Sequence, residues 1–395
     1  MLQTTLNRGS VLPIEKPAEP RILGIFERPR INIALDFGTA NTVLATLVEE
    51  EIPEEKRFKS NPSVFAFDAS TKKITAIGEK AARMIGKSPK GTSIEWPVLD
   101  GVVGDPQVAK EILTMVLGLE LNEKQIAGAR VFIGIPCNTP EVYRNALEEA
   151  VFSNRAAEIY MVEQPLAAAI GVGLPIEDPE GRMIIDLGGG TVCTAEMALG
   201  RIVYSDCNNT LGGKHIDRAL KSFFRKEFNM NVDERRIEDL KKLVSKHKKT
   251  KEEKVKETFS IDGTGTDGLP KSIKVTLEDM DRALAPLIGK IVEAAKKVIS
   301  RSDEAVVADL KDTGIFLTGG GALLRGLDFA LGEELGLPVK VAENPLLCVI
   351  KGLYCLMTDH DALVRSAHYF NTLEEWKKTE DANKKRRSNH WWWPF

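Results

Sequence analysis

With 395 residues, the chain is long enough for two domains that each bury a hydrophobic core. Its 54 Lys and Arg residues nearly balance 57 Asp and Glu residues, and the formal charge is −3. Such a balance creates no overall field that would attract nucleic acid or an acidic substrate. We therefore expect no nucleic-acid partner and look for partners at local features.

Cysteine usage and hydropathy both indicate where the protein works. The five cysteines are odd in number and include no CxxC pair, which favours reduced thiols over a disulfide framework or a metal centre. No apolar run reaches the length of about 18 residues that a transmembrane helix needs. The first residues also lack the basic and apolar blocks of a secretory signal. We therefore expect a cytoplasmic protein.

Apolar runs alternate with helical patterns along the chain, which is typical of an α/β protein. In the first half, strands are predicted from residue 31 and at 43–47, 64–67 and 131–135, with helices near 78–85 and 105–118. In the second half, strands are predicted from residue 183 and at 192–199, 202–206 and 314–317, with a helix near 213–228. The repeated plan predicts two similar domains, residues 31–182 and 183–360. An N-terminal extension (1–30) precedes them, and a C-terminal helix and tail (361–395) follow.

The segment 232–257 is dense in Lys, Arg, Glu and Asp. A charged run of this kind is usually a solvated helical face, so we predict an exposed helix there. Residues 262–270, with the sequence DGTGTDGLP, are predicted to form the turn that follows it.

Three glycine-rich turns each follow an apolar run that predicts a strand. They are DFGTANT at 36–42, DLGGGT at 186–191 and TGGG at 318–321. Glycine lets backbone N–H groups approach phosphate oxygens, threonine adds hydroxyl donors, and aspartate can hold hydrated Mg²⁺ that faces the phosphates. Because the first two turns share this pattern, they are predicted to clamp one nucleotide from opposite sides.

The pattern assigns these roles residue by residue. The predicted phosphate-binding residues are Gly38, Thr39, Ala40, Asn41, Gly188, Gly189, Gly190 and Thr191, and the predicted Mg²⁺ ligands, through water, are Asp36 and Asp186. The chain has no GxxxxGK(S/T) motif of a P-loop, and its triple glycine lacks the spacing of a dinucleotide-binding GxGxxG turn. The expected ligand is therefore ATP, with Mg²⁺ as its metal.

The turns and several other segments resemble the actin, Hsp70 and hexokinase superfamily, and most closely its bacterial actin family, MreB. The similar segments are DFGTANT at 36–42, NPSV at 61–64, DGV at 100–102, EQPLAAAIG at 163–171, DLGGGT at 186–191, LGG at 211–213 and GIFLTGGGALLRGLD at 314–328. The resemblance covers roughly residues 22–360. It implies an α/β, actin-like ATPase fold in which two duplicated RNase H-like domains surround a nucleotide cleft.

The resemblance also implies catalytic roles. Gln164 matches the residue that places the attacking water, where MreB relatives have glutamate. A glutamine amide can orient a water but cannot accept its proton, so we expect slow ATP hydrolysis. The expected catalytic residues are Gln164, Asp186, Thr191 and Glu163, the last as a structural or Mg²⁺-side carboxylate.

Further nucleotide contacts are implied by the family. Gly319, Gly320, Gly321 and Ala322 are expected beneath the adenine and ribose, and Gly212 and Gly213 near the phosphates and ribose. The chain departs from the family at Val192 and Lys214, where relatives usually have threonine and aspartate. The helix that contacts ribose and adenine in relatives would fall near residues 236–242, where the sequence differs too much to assign a residue.

Filament formation is the function that the resemblance favours, because head-to-tail stacking of subunits extends without closing. The implied role is cell-shape maintenance. One alternative is an actin-like filament that positions an organelle or plasmid, since the departures at Gln164, Val192 and Lys214 suggest a paralogue. Another is a cytosolic small-molecule kinase of the same fold. An Hsp70 is not expected, because about forty residues after Leu356 are too few for a peptide-binding domain.

Two terminal segments are candidates for contact with the anionic inner membrane surface. The candidate residues are Lys384, Arg386, Arg387, Trp391, Trp392, Trp393 and Phe395 in the C-terminal tail, and Ile22, Leu23, Ile25 and Phe26 near the N-terminus. Each cation near such a surface contributes about 1 kcal/mol, and tryptophan favours the headgroup level. We expect a peripheral protein at the inner face of the membrane. A disordered tail, or one that docks on a protein, is the alternative.

Overall fold

The computed structural model describes residues 31–47, 57–71, 73–99, 102–103, 106–247, 249 and 257–379. These residues belong to one compact unit that begins at Ile31. Both candidate membrane segments, at 22–26 and 384–395, lie outside the described residues. Within the described part, no helix is long and apolar enough to cross a bilayer. The domain boundaries given above stay predictions.

Strands and helices alternate along the chain. The strands are β1 (Asn32–Phe37), β2 (Asn41–Thr46), β3 (Lys59–Pro62), β4 (Phe65–Asp68), β5 (Ile74–Ile77), β6 (Thr92–Glu95), β7 (Val98–Leu99), β8 (Val102–Val103), β9 (Arg130–Ile135), β10 (Glu158–Glu163), β11 (Arg182–Leu187), β12 (Val192–Ala198), β13 (Arg201–Asn208), β14 (Met230–Asn231), β15 (Thr258–Gly265), β16 (Pro270–Thr276), β17 (Ile315–Thr318), β18 (Val339–Val341) and β19 (Ala367–Thr372). The α-helices are α1 (Glu79–Ala82), α2 (Pro106–Glu120), α3 (Glu123–Ile126), α4 (Glu141–Ser153), α5 (Gln164–Val172), α6 (Gly213–Phe228), α7 (Glu234–Val244), α8 (Leu277–Ile299), α9 (Glu304–Thr313), α10 (Leu327–Leu335), α11 (Cys348–Leu356) and α12 (His360–Ser366). Two 3-10 helices span Gly320–Leu323 and Pro345–Leu347.

Two sheets repeat one strand order. The first sheet runs β3-β2-β1-β9-β10-β19 and the second runs β13-β12-β11-β17-β18. In each, three consecutive antiparallel strands are followed by two strands parallel to the first of them. The smaller sheets are β5-β4-β6, β14-β15-β16 and the pair β7-β8. The repeated order is the duplicated α/β plan that the sequence predicted.

The core has three apolar layers because the central strands are buried on both faces. On β1, Ile33 and Leu35 face a first layer shared with α2 and α4, while Ala34 faces a central layer shared with α5 and α11. On β11, Ile184 faces the same central layer, and Ile185 faces a third layer with α6, α8 and α10. Side chains that alternate along a strand point to opposite faces. The central layer therefore lies between the two sheets and joins them.

Helices α5 and α11 cross at backbone contact within this central layer. A Cβ atom at Gly171 would lie 1.9 Å from the carbonyl oxygen of Cys348, and one at Gly352 would lie 1.7 Å from that of Ala167. Real carbon atoms cannot approach an oxygen so closely. Glycine is required at both positions, because any side chain would force the helices apart.

Three parts of the chain differ from the sequence predictions. The predicted turn at 262–270 is shorter, since β15 continues to Gly265 and β16 begins at Pro270. The helix in the charged segment begins at Glu234, capped by the Asp233 side chain, and buries Ile237, Leu240 and Val244, so the helix is not exposed on all sides. The C-terminal region contains not only helical residues 373–379 but also β19, which pairs with β10.

The expectation of reduced thiols is wrong for one pair. Cys193 and Cys207 lie directly opposite each other on antiparallel strands β12 and β13 and form a disulfide. Cys137, Cys348 and Cys355 are free. The sequence could not predict the pair, because the strand register brings the two residues together.

We expect Gly352→Ala to destabilise the protein. The added methyl group would meet the Ala167 carbonyl oxygen, and overpacking of this kind costs about 1–3 kcal/mol, so the Tm should fall. Gly118→Ala in α2 is the matched control, because nothing lies within 4 Å of the new methyl group. Alanine also favours a helix over glycine, so the control should keep or raise the Tm. Equal Tm values for Gly352→Ala and the unchanged protein would contradict the backbone contact.

Candidate functional site

The first glycine turn joins β1 to β2 and is anchored by Ser63, just after the neighbouring strand β3. Ser63 N–H donates to the Ala40 carbonyl oxygen over 2.9 Å, and the Thr42 and Ser63 hydroxyls lie 2.7 Å apart. Thr39 is buried, and Asn41 begins β2. The turn that contains Gly38 is therefore held in place by Ser63. The sequence did not reveal this contact.

The second glycine turn joins β11 to β12 and lies against the start of α6. Gly188 N–H donates to the Thr191 carbonyl oxygen over 2.8 Å, which closes the turn. Gly213 N–H donates to the Gly188 carbonyl oxygen over 3.0 Å, so the Gly212–Gly213 pair lies beside the turn. Helix α6 begins at Gly213. The next N–H group of the helix, that of Lys214, donates to the Gly189 carbonyl oxygen over 2.8 Å, so the start of α6 holds the turn in place.

The two turns meet face to face. A Cβ atom at Gly189 would lie 2.7 Å from the Ala40 Cβ and 2.9 Å from the Ala40 nitrogen. Only glycine allows this approach. The structure thus brings together the two turns that the sequence predicted to clamp a nucleotide, with Gly190 and Thr191 completing the second.

A carboxylate stands at the end of each central strand. Asp36 is the penultimate residue of β1, and Asp186 lies at the matching position of β11. Burial raises the pKa of Asp36 to about 7, the Asp186 carboxylate adds to the rise, and a hydrogen bond from Gln164 opposes it. Burial also raises the pKa of Asp186 to about 6, opposed by a hydrogen bond from Thr318. The two carboxylates are therefore close enough to repel each other.

Gln164 and Glu163 face different neighbours although they are adjacent in the chain. Gln164 is the first residue of α5, is 8% exposed, and its Nε2 donates to Asp36 Oδ1 over 3.1 Å. Glu163 ends β10, and its carboxylate contributes to the raised pKa of the buried Cys137 thiol. The structure places Gln164, rather than Glu163, against the first carboxylate.

The third glycine turn packs on the end of β11. Gly319 has a φ of 75°, and a Cβ atom there would lie 2.4 Å from the Leu187 carbonyl oxygen and 2.8 Å from Asp186 Oδ1. Gly320 and Gly321 begin the 3-10 helix that contains the buried Ala322. The third turn therefore borders the second carboxylate.

Sequence reasoning missed two polar residues that complete this region. Thr318 Oγ1 is fully buried and donates to Asp186 Oδ1 over 3.1 Å. Lys241 Nζ in α7 lies 2.6 Å from Asp217 Oδ1 and donates to the Gly213 carbonyl oxygen over 3.3 Å. Thr318 could have been found from its place before the third glycine turn. Lys241 could not, because a charged run gives no sign of which lysine turns inward.

Comparison with known proteins gives consistent results. The profile of the MreB/Mbl protein family matches residues 30–365. The chain is 36% identical over 335 residues to the cell shape-determining protein Mbl of Bacillus subtilis (strain 168), covering 84% of this chain and 97% of that protein. It is 32% identical over 326 residues to the cell shape-determining protein MreB of Escherichia coli (strain K12), covering 81% and 91% respectively.

Solved structures show the same fold. MreB 5 of Spiroplasma citri bound to AMPPNP superposes with a TM-score of 0.78 at 28% identity, over 86% of this chain and 99% of that one. The MamK double helical filament gives a TM-score of 0.67 at 19% identity, over 84% and 99%, which supports the fold alone. The expected actin-like ATPase fold is confirmed. Because the family profile spans most of the chain and a relative above 30% identity aligns along nearly its whole length, this chain belongs to the MreB/Mbl family.

Proposed function

We propose that this MreB/Mbl protein binds and slowly hydrolyses ATP and polymerises into cytoplasmic filaments that maintain cell shape. The observation that carries the proposal is the meeting of two glycine turns, each preceded by a carboxylate, between two sheets of equal strand order. The names of the relatives, cell shape-determining proteins, support the biological role. Spiroplasma citri MreB5 structures bound to AMPPNP and to ADP support the ligand.

Mg²⁺ is the metal that the donor set fits. Among the described residues, no cluster of three or more His, Cys, Asp or Glu could hold a metal ion. Two carboxylates with raised pKa values suit a hard cation that keeps part of its water shell and takes its other ligands from phosphates. Asp36 and Asp186 would hold Mg²⁺ through water, and the ion would neutralise charge on the phosphates.

The stability of the nucleotide-free protein is expected to fall as pH rises from about 5 to about 8. Asp36 and Asp186 have folded-state pKa values of about 7 and about 6, above the 3.8 of an ordinary aspartate. The folded state therefore holds protons that the unfolded state has lost, and ionisation of the pair destabilises it. Thermal denaturation across this pH range measures the slope.

Asp36→Asn should flatten this pH profile, because it removes the carboxyl group with the larger pKa shift. The asparagine side-chain oxygen can still accept the hydrogen bond from Gln164. Asp239→Asn, at an exposed position on α7, is the matched control and should keep the slope. Added Mg²⁺ with ATP should raise the Tm most at the alkaline end. A profile of unchanged slope in Asp36→Asn would argue against the raised pKa.

The proposed hydrolysis depends on Gln164. Its Nε2 is fixed by Asp36, so its Oε1 can accept a hydrogen bond from a water in the cleft. The Gln164 side chain is buried at the first position of α5, which limits its movement. An amide orients the water without taking its proton, which is the reason to expect a slow reaction.

We expect Gln164→Ala to lower kcat for ATP hydrolysis by at least about tenfold, since a positioned group contributes this much or more. ATP binding should change far less, because Gln164 contacts Asp36 rather than a glycine turn. Single-turnover hydrolysis of radiolabelled ATP gives the rate, and titration of a fluorescent ATP analogue gives the affinity. Equal losses of hydrolysis rate and of affinity for the analogue would instead indicate that the substitution disrupts the whole site.

Filament formation and membrane contact complete the proposal. MamK, which shares the fold, was solved as a double helical filament. The basic and tryptophan-rich tail from Lys384 onwards is the proposed anchor on an anionic membrane, with residues 22–26 as a second, weaker one. Weak anchors on each subunit would act together once a filament arrays them.

Removal of residues 388–395 is expected to abolish binding to anionic liposomes and to leave polymerisation intact. Electron microscopy with Mg-ATP should show filaments of the full chain lying on the liposomes, and filaments of the truncated chain lying free. Neutral liposomes serve as the charge control. Liposome binding that survives the truncation would refute the tail as anchor, and the absence of filaments from the full chain would refute polymerisation.

A further inference from the structure

A lysine and a tryptophan from opposite halves of the fold meet beside the two glycine turns. Lys214 Nζ lies 4.6 Å from the centroid of the Trp96 ring. Trp96 follows β6 and is partly buried against the small core of Val64, Ala66 and Ala81. Lys214 lies in the first turn of α6. A cation over the face of an indole is attracted by the negative potential of the ring, and tryptophan provides the strongest such contact.

Lys214 is also bonded to the second glycine turn. Its backbone N–H donates to the Gly189 carbonyl oxygen over 2.8 Å, and Gly189 is the residue that touches Ala40 of the first turn. Its ammonium group lies 3.0 Å from Glu234 Oε1 at the start of α7. One residue therefore contacts the opposite half through its side chain and the second turn through its backbone.

The surroundings make this contact stronger than an ordinary surface pair. The Lys214 side chain is 17% exposed, so water screens it only in part. The salt bridge to Glu234 restricts the rotamers of the Lys214 side chain. By contrast, the cation–π contact of Arg282 over Phe223, at 5.8 Å, is made within the second half alone and involves an arginine that is 62% exposed.

We propose that Trp96 and Lys214 form a clasp that holds the cleft closed and positions the second glycine turn, so that breaking it speeds nucleotide release. The inference rests on the proposed function, because it requires a nucleotide between the two turns. Lys214 acts here as a positioning residue, through Gly189. Loss of either partner leaves the two outer parts of the halves without this attraction, and the cleft opens more often.

The test is a double-mutant cycle on nucleotide release. A fluorescent ATP analogue is bound with Mg²⁺ at protein concentrations where pelleting detects no polymer, and excess ATP displaces it in a stopped-flow instrument. Trp96→Leu and Lys214→Met should each release the analogue about fivefold to tenfold faster, as expected for a partly desolvated cation–π contact. Because both changes break one contact, the double variant should release it little faster than either single variant.

Conservative and matched variants separate the clasp from a general loss of stability. Lys214→Arg and Trp96→Phe keep a cation and a ring, so their release rates should lie close to that of the unchanged protein. Arg282→Met removes a cation–π contact within one half and should leave release unchanged. Thermal denaturation of every variant identifies any that unfold. If Trp96→Leu or Lys214→Met unfolds, the other single variant still tests the clasp, because loss of either partner breaks the same contact.

The outcomes for the clasp and for the proposed function are distinct. If the unchanged protein does not bind the analogue, the proposed nucleotide site is wrong. If it binds and the single variants release at the unchanged rate, the nucleotide site stands and the clasp is wrong. Effects of Trp96→Leu and Lys214→Met that multiply in the double variant would also overturn the clasp, because they would show that the two residues act independently.

Discussion

The backbone contact between α5 and α11 is the constraint on which the rest of the structure depends. Both helices fill the layer between the two sheets, and glycine at 171 and 352 lets them approach until carbonyl oxygen meets Cα. Helix α5 begins at Gln164, three residues before Ala167 and seven before Gly171, the two positions at which it meets α11. The position of the crossing therefore determines where the Gln164 amide meets Asp36. Helix α5 thus links the packing between the two sheets to the position of the Gln164 side chain.

Duplication of the sheet explains the electrostatics of the cleft. Equivalent strands β1 and β11 each have an aspartate as the penultimate residue, so a fold that brings the strand ends together also brings two carboxylates together. Burial raises the pKa of both, and no described lysine or arginine forms an ion pair with either. A cation with phosphate oxygens would relieve the repulsion. Under the proposed function, nucleotide binding would therefore be coupled to the approach of the two strand ends through charge.

Features that depend on neighbours in the sequence could be predicted, and features that depend on tertiary placement could not. The three glycine turns and the strands before them follow from local patterns, and the structure has each of them. Helix α7 was predicted as a solvated face, yet its Lys241 turns inward to Asp217 because α6 packs against it. The Cys193–Cys207 disulfide follows from strand register, and the Trp96–Lys214 contact from the approach of two halves. No periodic pattern in the sequence predicts the disulfide or the Trp96–Lys214 contact.

The two halves contact each other at three levels of different physical character. In the central layer, close-packed backbone and apolar side chains hold the halves together, and salt does not screen these contacts. At the glycine turns, Gly189 touches Ala40 with no charge or hydrogen bond between them. Beyond the turns, Trp96 and Lys214 attract each other electrostatically across a partly wet surface. The contacts between the halves therefore change from close-packed backbone at the helix crossing to a single cation–π pair farther out. A nucleotide between the turns, as proposed, would lie between these two kinds of contact and would touch both halves at once.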